Sequence, residues 1–363
     1  MAWNIRAKRR RAQNRQRLVG GAKLESSRTR KQGMKMKRSW VSWLLGVLVV
    51  LAIAAWRSHS GLQPSAARLT LAVSPSTPAL NAERLLADVA ALSFGRYDAG
   101  DRQRAADYIE RSLEAAGWQV ERAQFATTEH LGENLIATRP SPVPIRPKLL
   151  LAAHYDTVDG SPGADDNATA IATILEAARL LGQDDAPYEL ELALFDLEEI
   201  GLEGSKAFVE DALRLQDLRG VVVMDMIGYG CEVAGCQSYP SMLPIEPPSD
   251  RGSFLAVIGD RSHPALIQAF HQIADAAPPF TVTPVFSLAV PLLGDLTPDL
   301  LRSDHTSFWK KGIGAVLLTD TANFRNPHYH QPSDTPDTLN PEFFLGSARL
   351  VIQGVDLLLH SGE

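Results

Sequence analysis

Apolar positions recur at helical spacing from Leu80 onward, first in LNAERLLADVAAL (80–92) and then in DRQRAADYIERSLEAAG (101–117). In the second segment Ala105, Tyr108, Ile109, Leu113 and Ala116 share a face, and Gly117 ends the helix. The pattern then changes to short runs bounded by turn residues, QVERAQF (119–125), ENLIATR (133–139) and KLLLAAHYD (148–156), which predict strands. A helix over ATAIATILEAARLLG (168–182), a strand over YELELALFD (188–196), a helix over EGSKAFVEDALRL (203–215) and a strand over RGVVVMDMIG (219–228) follow. This alternation predicts a largely parallel sheet covered by helices on both faces.

Residues 229–252 have no clean period and are dense in Pro, Gly and Ser, so they predict a long loop of the kind that walls a cleft. Strand, helix and strand resume with SFLAVIGD (253–260), SHPALIQAFHQIADAA (262–277) and FTVTPVF (280–286). IGAVLLTD (313–320) predicts another strand and PEFFLGSARLVIQGVDLLLH (341–360) a closing amphipathic helix. No second shift of composition divides this region, which is expected to be one catalytic domain over 79–363.

A different apolar stretch precedes it. WVSWLLGVLVVLAIAAW (40–56) runs seventeen residues without a charge, with Trp40, Trp43 and Trp56 near its ends. Residues 1–38 hold 14 of the 36 Lys and Arg but only Glu25 of the 42 acids, leaving 22 basic and 41 acidic residues beyond them. The expectation is a basic cytoplasmic leader (1–39), a transmembrane signal anchor (40–56) and a Ser/Pro/Ala-rich linker (57–78). The acidic domain then lies outside the cytoplasm, in the periplasm of a bacterium whose inner membrane holds the anchor. The long leader favours an uncleaved anchor over a signal peptide cut near Ala52-Ile53-Ala54. It also reads as a topology signal rather than a nucleic-acid arm, so no nucleic-acid partner is expected. Cys231 and Cys236, a close pair in an exported domain, suit a small disulfide loop better than a zinc site.

The chemistry gathers at strand ends. HYDTVDGSPGADDN (154–167) follows one strand, Glu198 and Glu199 follow the next, and Asp225 closes a third. Ligands of open α/β sheets collect outside the carboxyl ends of the strands. Acids converging there repel unless a cation sits among them, and a divalent metal pair is the economical answer. His154, Asp166, Glu199 and Asp225 are the candidate ligands, joined by a histidine late in the chain, either His328 or His330. Alone, a Glu-Glu pair reads as a solvated helix start and a histidine after a strand as packing; their conjunction at three consecutive strand ends does not. Asn167-Ala-Thr169 matches a glycosylation sequon, but its place within the acid-rich loop makes the match accidental. His263 and His271, on an amphipathic helix, read as surface or packing residues.

HYDT, PGADDNATA, FDLEEIGLEGS, MDMIGY, SDHTSF and NPHYHQPSDTPDTL together resemble the successive signatures of the M28 metallopeptidases, the co-catalytic zinc aminopeptidases. The resemblance covers roughly residues 80–360. It implies a three-layer α/β/α sandwich with a mixed, mostly parallel sheet and two zinc ions per chain. By this resemblance His154 and Asp225 hold one metal, Glu199 and His330 the other, and Asp166 bridges them. Glu198 is the general base, and Asp156 orients His154, in keeping with residues two apart in a strand facing the same way. Tyr229, Asp304 and His305 are expected at substrate or just behind the ligands. Peptides are the implied substrates, through hydrolysis at the N-terminus.

Thr169-Ala170 stands where the family often has Ser-Gly, a small change at a helix start. Glutaminyl cyclases, which resemble this family, usually carry Trp before the last histidine ligand, where this chain has Tyr329. The M20 hydrolases share an HxDTV start but insert a dimerisation domain, for which the 26 residues from Glu199 to Asp225 leave no space. A non-catalytic relative predicts missing ligands, whereas all five are present.

Overall fold

In the computed structural model the described residues are 79–139, 146–181, 186–241, 243, 245–291 and 297–361. The leader, anchor and linker expected over 1–78 lie outside them.

Two helices open the domain, α1 (Ala82–Leu92) and α2 (Ala99–Ala115), the first capped by Asn81, whose side chain accepts the Arg84 N–H. Strands β1 (Gln119–Ala126), β2 (Leu131–Thr138), β3 (Lys148–His154), β4 (Glu189–Phe195) and β5 (Leu218–Met224) follow, with α3 (Ala170–Leu180) between β3 and β4. Beyond them come β6 (Leu255–Asp260), β7 (Val285–Val290) and β8 (Ala315–Thr319). They form one eight-stranded sheet in the order β1-β2-β4-β3-β5-β8-β6-β7. Pairing is parallel at β4/β3, β3/β5, β5/β8 and β6/β7 and antiparallel elsewhere. The sheet is therefore mixed and mostly parallel.

Alternate residues of each strand serve two cores. Leu149, Leu151 and Ala153 of β3 pack with α1, α2 and α3, together with α6 (Pro264–Ala276) and α8 (Pro341–His360). Leu150 and Ala152 face the opposite layer, where Phe208 of α4 (Glu203–Glu210) meets Phe308 and Trp309 of α7 (His305–Lys310). Helix α8 begins and ends where the apolar pattern does, with Asn340 capping it through the Phe343 N–H and Pro341 in its first turn. Among the described residues it alone is long and apolar enough to cross a membrane, yet most of it is buried against the sheet and its neighbours, as a core helix is.

Two predicted elements differ, and one helix was not predicted. The helix expected over 203–215 breaks at Asp211, whose carboxylate caps a separate turn, α5 (Ala212–Leu215). The strand placed at 280–286 begins instead at Val285. Pro284 has no N–H for a ladder, although its carbonyl accepts the Leu255 N–H, and Phe280 is fully exposed. Helix α7, hidden in an uninformative stretch, packs on β8 and β5.

Candidate metal centre

The parallel register assembles the site. His154, last residue of β3, pairs beside Phe195, last of β4, so the loop after β4 delivers Glu198 and Glu199 alongside it. Ala152 is level with Val223, and two residues further Asp225 stands level with His154. The loop between β3 and α3 folds back as a π-helical turn over Ala164–Thr169, with a cis bond between Asp166 and Asn167. Gly163 turns that loop at φ 62°; a Cβ there would lie 2.3 Å from the Asp166 carbonyl oxygen and 2.6 Å from Arg96 Nη2.

Asp166 is the hub. His154 Nε2 lies 3.3 Å from its Oδ1 and 3.5 Å from Asp225 Oδ1, while His330 Nε2 lies 3.3 Å from its Oδ2 and 3.0 Å from Glu199 Oε2. One carboxylate thus stands between two pairs, each made of a histidine and an acid. Ligand atoms of His154, Asp166 and Glu199 fall within 4.8 Å of one another, close enough to share a metal ion. Asp156 stands behind, with Oδ1 3.4 Å from His154 Nδ1. That oxygen also accepts the Glu198 N–H at 3.0 Å, and Oδ2 accepts the Glu199 N–H at 3.2 Å.

The electrostatics fit a cation. Burial works against charging His154, but Glu198, Asp156, Asp166 and Asp225 outweigh it and hold the imidazole well above its usual range. Burial likewise opposes charge on His330, which its bonds to Asp166 and Glu199 nonetheless push up to about 9. Burial raises Asp166 too, yet the two histidines hold it below the ordinary carboxylate range. Glu199 is pushed up to about 8, first by burial and then by Asp166, and Glu198 is raised well above its usual value by burial. His154 Nδ1, His330 Nε2 and Glu199 Oε1 are buried without a well-aligned hydrogen bond among the described residues, although carboxylate oxygens stand 3.4 Å from His154 Nδ1 and 3.0 Å from His330 Nε2. Nitrogen and oxygen donors crowded among acids are what a zinc site presents.

His330 is the histidine that reaches the acids. Its backbone adopts φ 58°, and its ring stacks on Tyr329 at 3.6 Å. His328 turns away, bonding Ser333 Oγ through Nδ1 at 2.9 Å. Cys231 and Cys236 are joined as a disulfide. Asn167 is fully buried, its amide bonded to the Met224 carbonyl and the Met226 N–H, so it offers no glycan acceptor. His263 bonds Asp260 at the start of α6, a packing role.

Tyr229, Asp304 and His305, expected at substrate or just behind the ligands, do not line the cavity themselves. Tyr229 sets its ring edge-on against His328 and donates its N–H to Asp320 at 2.9 Å, outside the cavity lining. His305 is buried, with Nε2 2.9 Å from the Leu300 carbonyl and its ring against Trp309. Asp304 is fully buried beneath the site, where burial pushes its carboxyl to about 7 against the pull of His154.

Arg96 escaped notice altogether. Fully buried, it bonds the carbonyls of Tyr155 (2.7 Å), Pro162 (3.0 Å) and Gly163 (3.1 Å), and also that of Leu92. It ties α1 to the loop that carries His154 and Asp166. Asp334 was equally unmarked; its two oxygens accept the N–H groups of Asp165 (2.9 Å) and Asp166 (3.1 Å). The only hint of either in sequence was a charge in an otherwise plain turn.

A cavity of about 400 Å³ opens on the acids. Its lining combines His154, Asp166, Glu198, Glu199, Asp225 and His330 with the apolar side chains of Phe254, Ile258, Phe286, Leu288 and Leu317.

An acid- and histidine-lined cleft at the carboxyl ends of parallel strands, with donors spaced for metal, defines a metal-dependent hydrolase. The chain belongs to peptidase family M28, whose pattern matches residues 134–355, and it is a metallopeptidase. It is 31% identical over 279 residues to the uncharacterized protein YfbL of Escherichia coli, spanning 72% of this chain and 80% of that one. It is 24% identical over 315 residues to leucine aminopeptidase 1 of Arthroderma otae, spanning 80% and 77%. In fold it is similar to BSAP, a zinc aminopeptidase from Bacillus subtilis, with a TM-score of 0.62 at 15% identity over 77% of this chain and 95% of that one.

Proposed function

We propose that the protein is a zinc-dependent aminopeptidase that releases N-terminal residues with apolar side chains. The observation that carries the reading is the Asp166 carboxylate standing between two histidine–acid pairs in a cavity that apolar side chains also line. His154, Asp225 and one oxygen of Asp166 would hold one zinc; His330, Glu199 and the other oxygen would hold a second. When bound, the metal supplies a Lewis acid that polarises the scissile carbonyl and makes water nucleophilic near neutral pH.

The chain's own residues do the rest. Glu198 lines the cavity between the ligands, with its backbone fixed by Asp156, and takes the proton of the attacking water before giving it to the leaving amine. Asp156 holds the His154 ring so that Nε2 faces Asp166 and Asp225. The apolar part of the lining accepts the N-terminal side chain and excludes water from it. Residues 40–56 would anchor the protein in a bacterial inner membrane, with the basic leader in the cytoplasm and the catalytic domain in the periplasm. A disulfide between Cys231 and Cys236 is in keeping with that oxidising compartment.

The test is hydrolysis of a panel of aminoacyl anilides by the full-length protein, with and without chelator. Cleavage of leucyl and phenylalanyl anilides that chelator abolishes and zinc restores is the expected result. Full activity after metal removal would overturn the mechanism. Cyclisation of an N-terminally glutaminyl peptide, rather than its cleavage, would assign the protein to the cyclases.

A further inference from the structure

The peptidase reading accounts for the acids and the apolar side chains of the cavity but not for the one Lys or Arg among its described lining residues, Arg302. Arg302 follows a short 3-10 turn at Pro298–Leu300 and is exposed at the cavity. It donates from Nη1 to Asn323 Oδ1 at 2.7 Å and from Nη2 to Tyr329 Oη at 2.8 Å, both neutral acceptors. Among the described residues no carboxylate forms an ion pair with it, although Asp299 lines the same cavity. A guanidinium offers five N–H donors in a planar fork that matches a carboxylate. Two of the five are engaged here, and they hold the fork in place.

Its location matters as much as its charge. The guanidinium carbon lies 5.7 Å from the centre of the Tyr329 ring, and that ring stacks 3.6 Å from His330, a candidate ligand. An extended peptide advances about 3.5 Å per residue. A carboxylate one or two residues beyond a bond cleaved at the ligands therefore comes within reach of Arg302.

Resting on the peptidase reading, we infer that Arg302 is a specificity-determining residue that binds a carboxylate on the leaving-group side of the cleaved bond. Two sources share that chemistry: the free C-terminus of a di- or tripeptide, and the side chain of Asp or Glu just after the cleaved bond. Tyr329 and Asn323 position the guanidinium for either.

The experiment measures kcat/KM of the full-length protein for Leu-Ala, Leu-Ala amide, Leu-Glu amide and Leu-Gln amide, with leucyl anilide alongside. Wild-type protein is expected to favour Leu-Ala over Leu-Ala amide, or Leu-Glu amide over Leu-Gln amide, by about tenfold, expressed mainly in KM. The first preference identifies a C-terminal carboxylate, the second an acidic side chain. Arg302→Gln should bring the ratio close to one, and Arg302→Lys should keep part of it, since the charge remains and the fork is lost. If wild-type protein cleaves the anilide yet shows neither preference, or if the preference survives Arg302→Gln, the assignment of Arg302 is overturned while the peptidase reading stands. If wild-type protein cleaves neither anilide nor peptide, the peptidase reading fails and this inference falls with it.

Discussion

Asp156 Oδ1 lies 3.4 Å from His154 Nδ1, and the same oxygen accepts the Glu198 N–H at 3.0 Å. One carboxylate therefore sets both the ring that faces the metal ligands and the backbone of the proposed base. Asp156→Asn keeps the size but weakens both ties. Zinc affinity should fall by about 10- to 100-fold, measured by competition with a chromophoric chelator, and kcat/KM should fall with it.

Glu198 lines the cavity beside the proposed ligands. Glu198→Ala is expected to lower kcat by about 10²- to 10⁴-fold while elemental analysis finds the zinc content of wild type. Loss of zinc together with activity would instead make Glu198 a ligand.

Arg96 carries its charge fully buried, with burial lowering its pKa only to about 10, so it remains a cation at neutral pH. Arg96→Met would leave the carbonyls of Tyr155, Pro162 and Gly163 without their donor. Urea unfolding should show a loss of about 3 kcal/mol or more, and zinc affinity should fall because the loop bearing Asp166 loosens.

His305, which is not a candidate ligand, supplies a further pH dependence. Burial lowers its pKa from 6.5 to about 4. Above pH 6.5 the ring is neutral in both folded and unfolded chains, and its contribution is complete. Between 6.5 and 4 the unfolded chain takes up a proton that the folded one refuses, so stability drains as pH falls; below 4 both are charged and the loss ends. Urea titrations at pH 7 and pH 4 should differ by on the order of 3 kcal/mol more in wild type than in His305→Gln. Equal differences in the two proteins would remove His305 as the source.

Much of the architecture was legible along the chain. The apolar run from Pro341 to His360, framed by a capping Asn and a first-turn Pro, is helix α8 to the residue. Strands β3 and β5 fall where the apolar runs LLLAA and VVVM lead to His154 and Asp225, as strands covered on both faces do, while β4 alternates Glu189 and Glu191 with leucine before the loop that carries Glu198 and Glu199. The gathering of acids at those ends follows from parallel order alone.

What local pattern leaves open is which distant groups meet. Local pattern alone does not separate His328 from His330, which the family resemblance favours; in space the turn that puts His330 at φ 58° and ties His328 to Ser333 separates them. Arg96 precedes His154 by dozens of residues in an undistinguished turn, and Arg302 sits in a segment without periodicity, so neither announces its partner. Tyr229 shows the converse, four residues after Asp225 in sequence yet outside the cavity lining. The sequence by itself determined the elements, their layers and the chemical types at the strand ends, since burial of one face writes a period into the chain. Only the tertiary structure decided how the turn brings His330 to Asp166, which cation clamps its loop and which one faces the cavity, because those contacts depend on the mutual packing of segments that share no local signal.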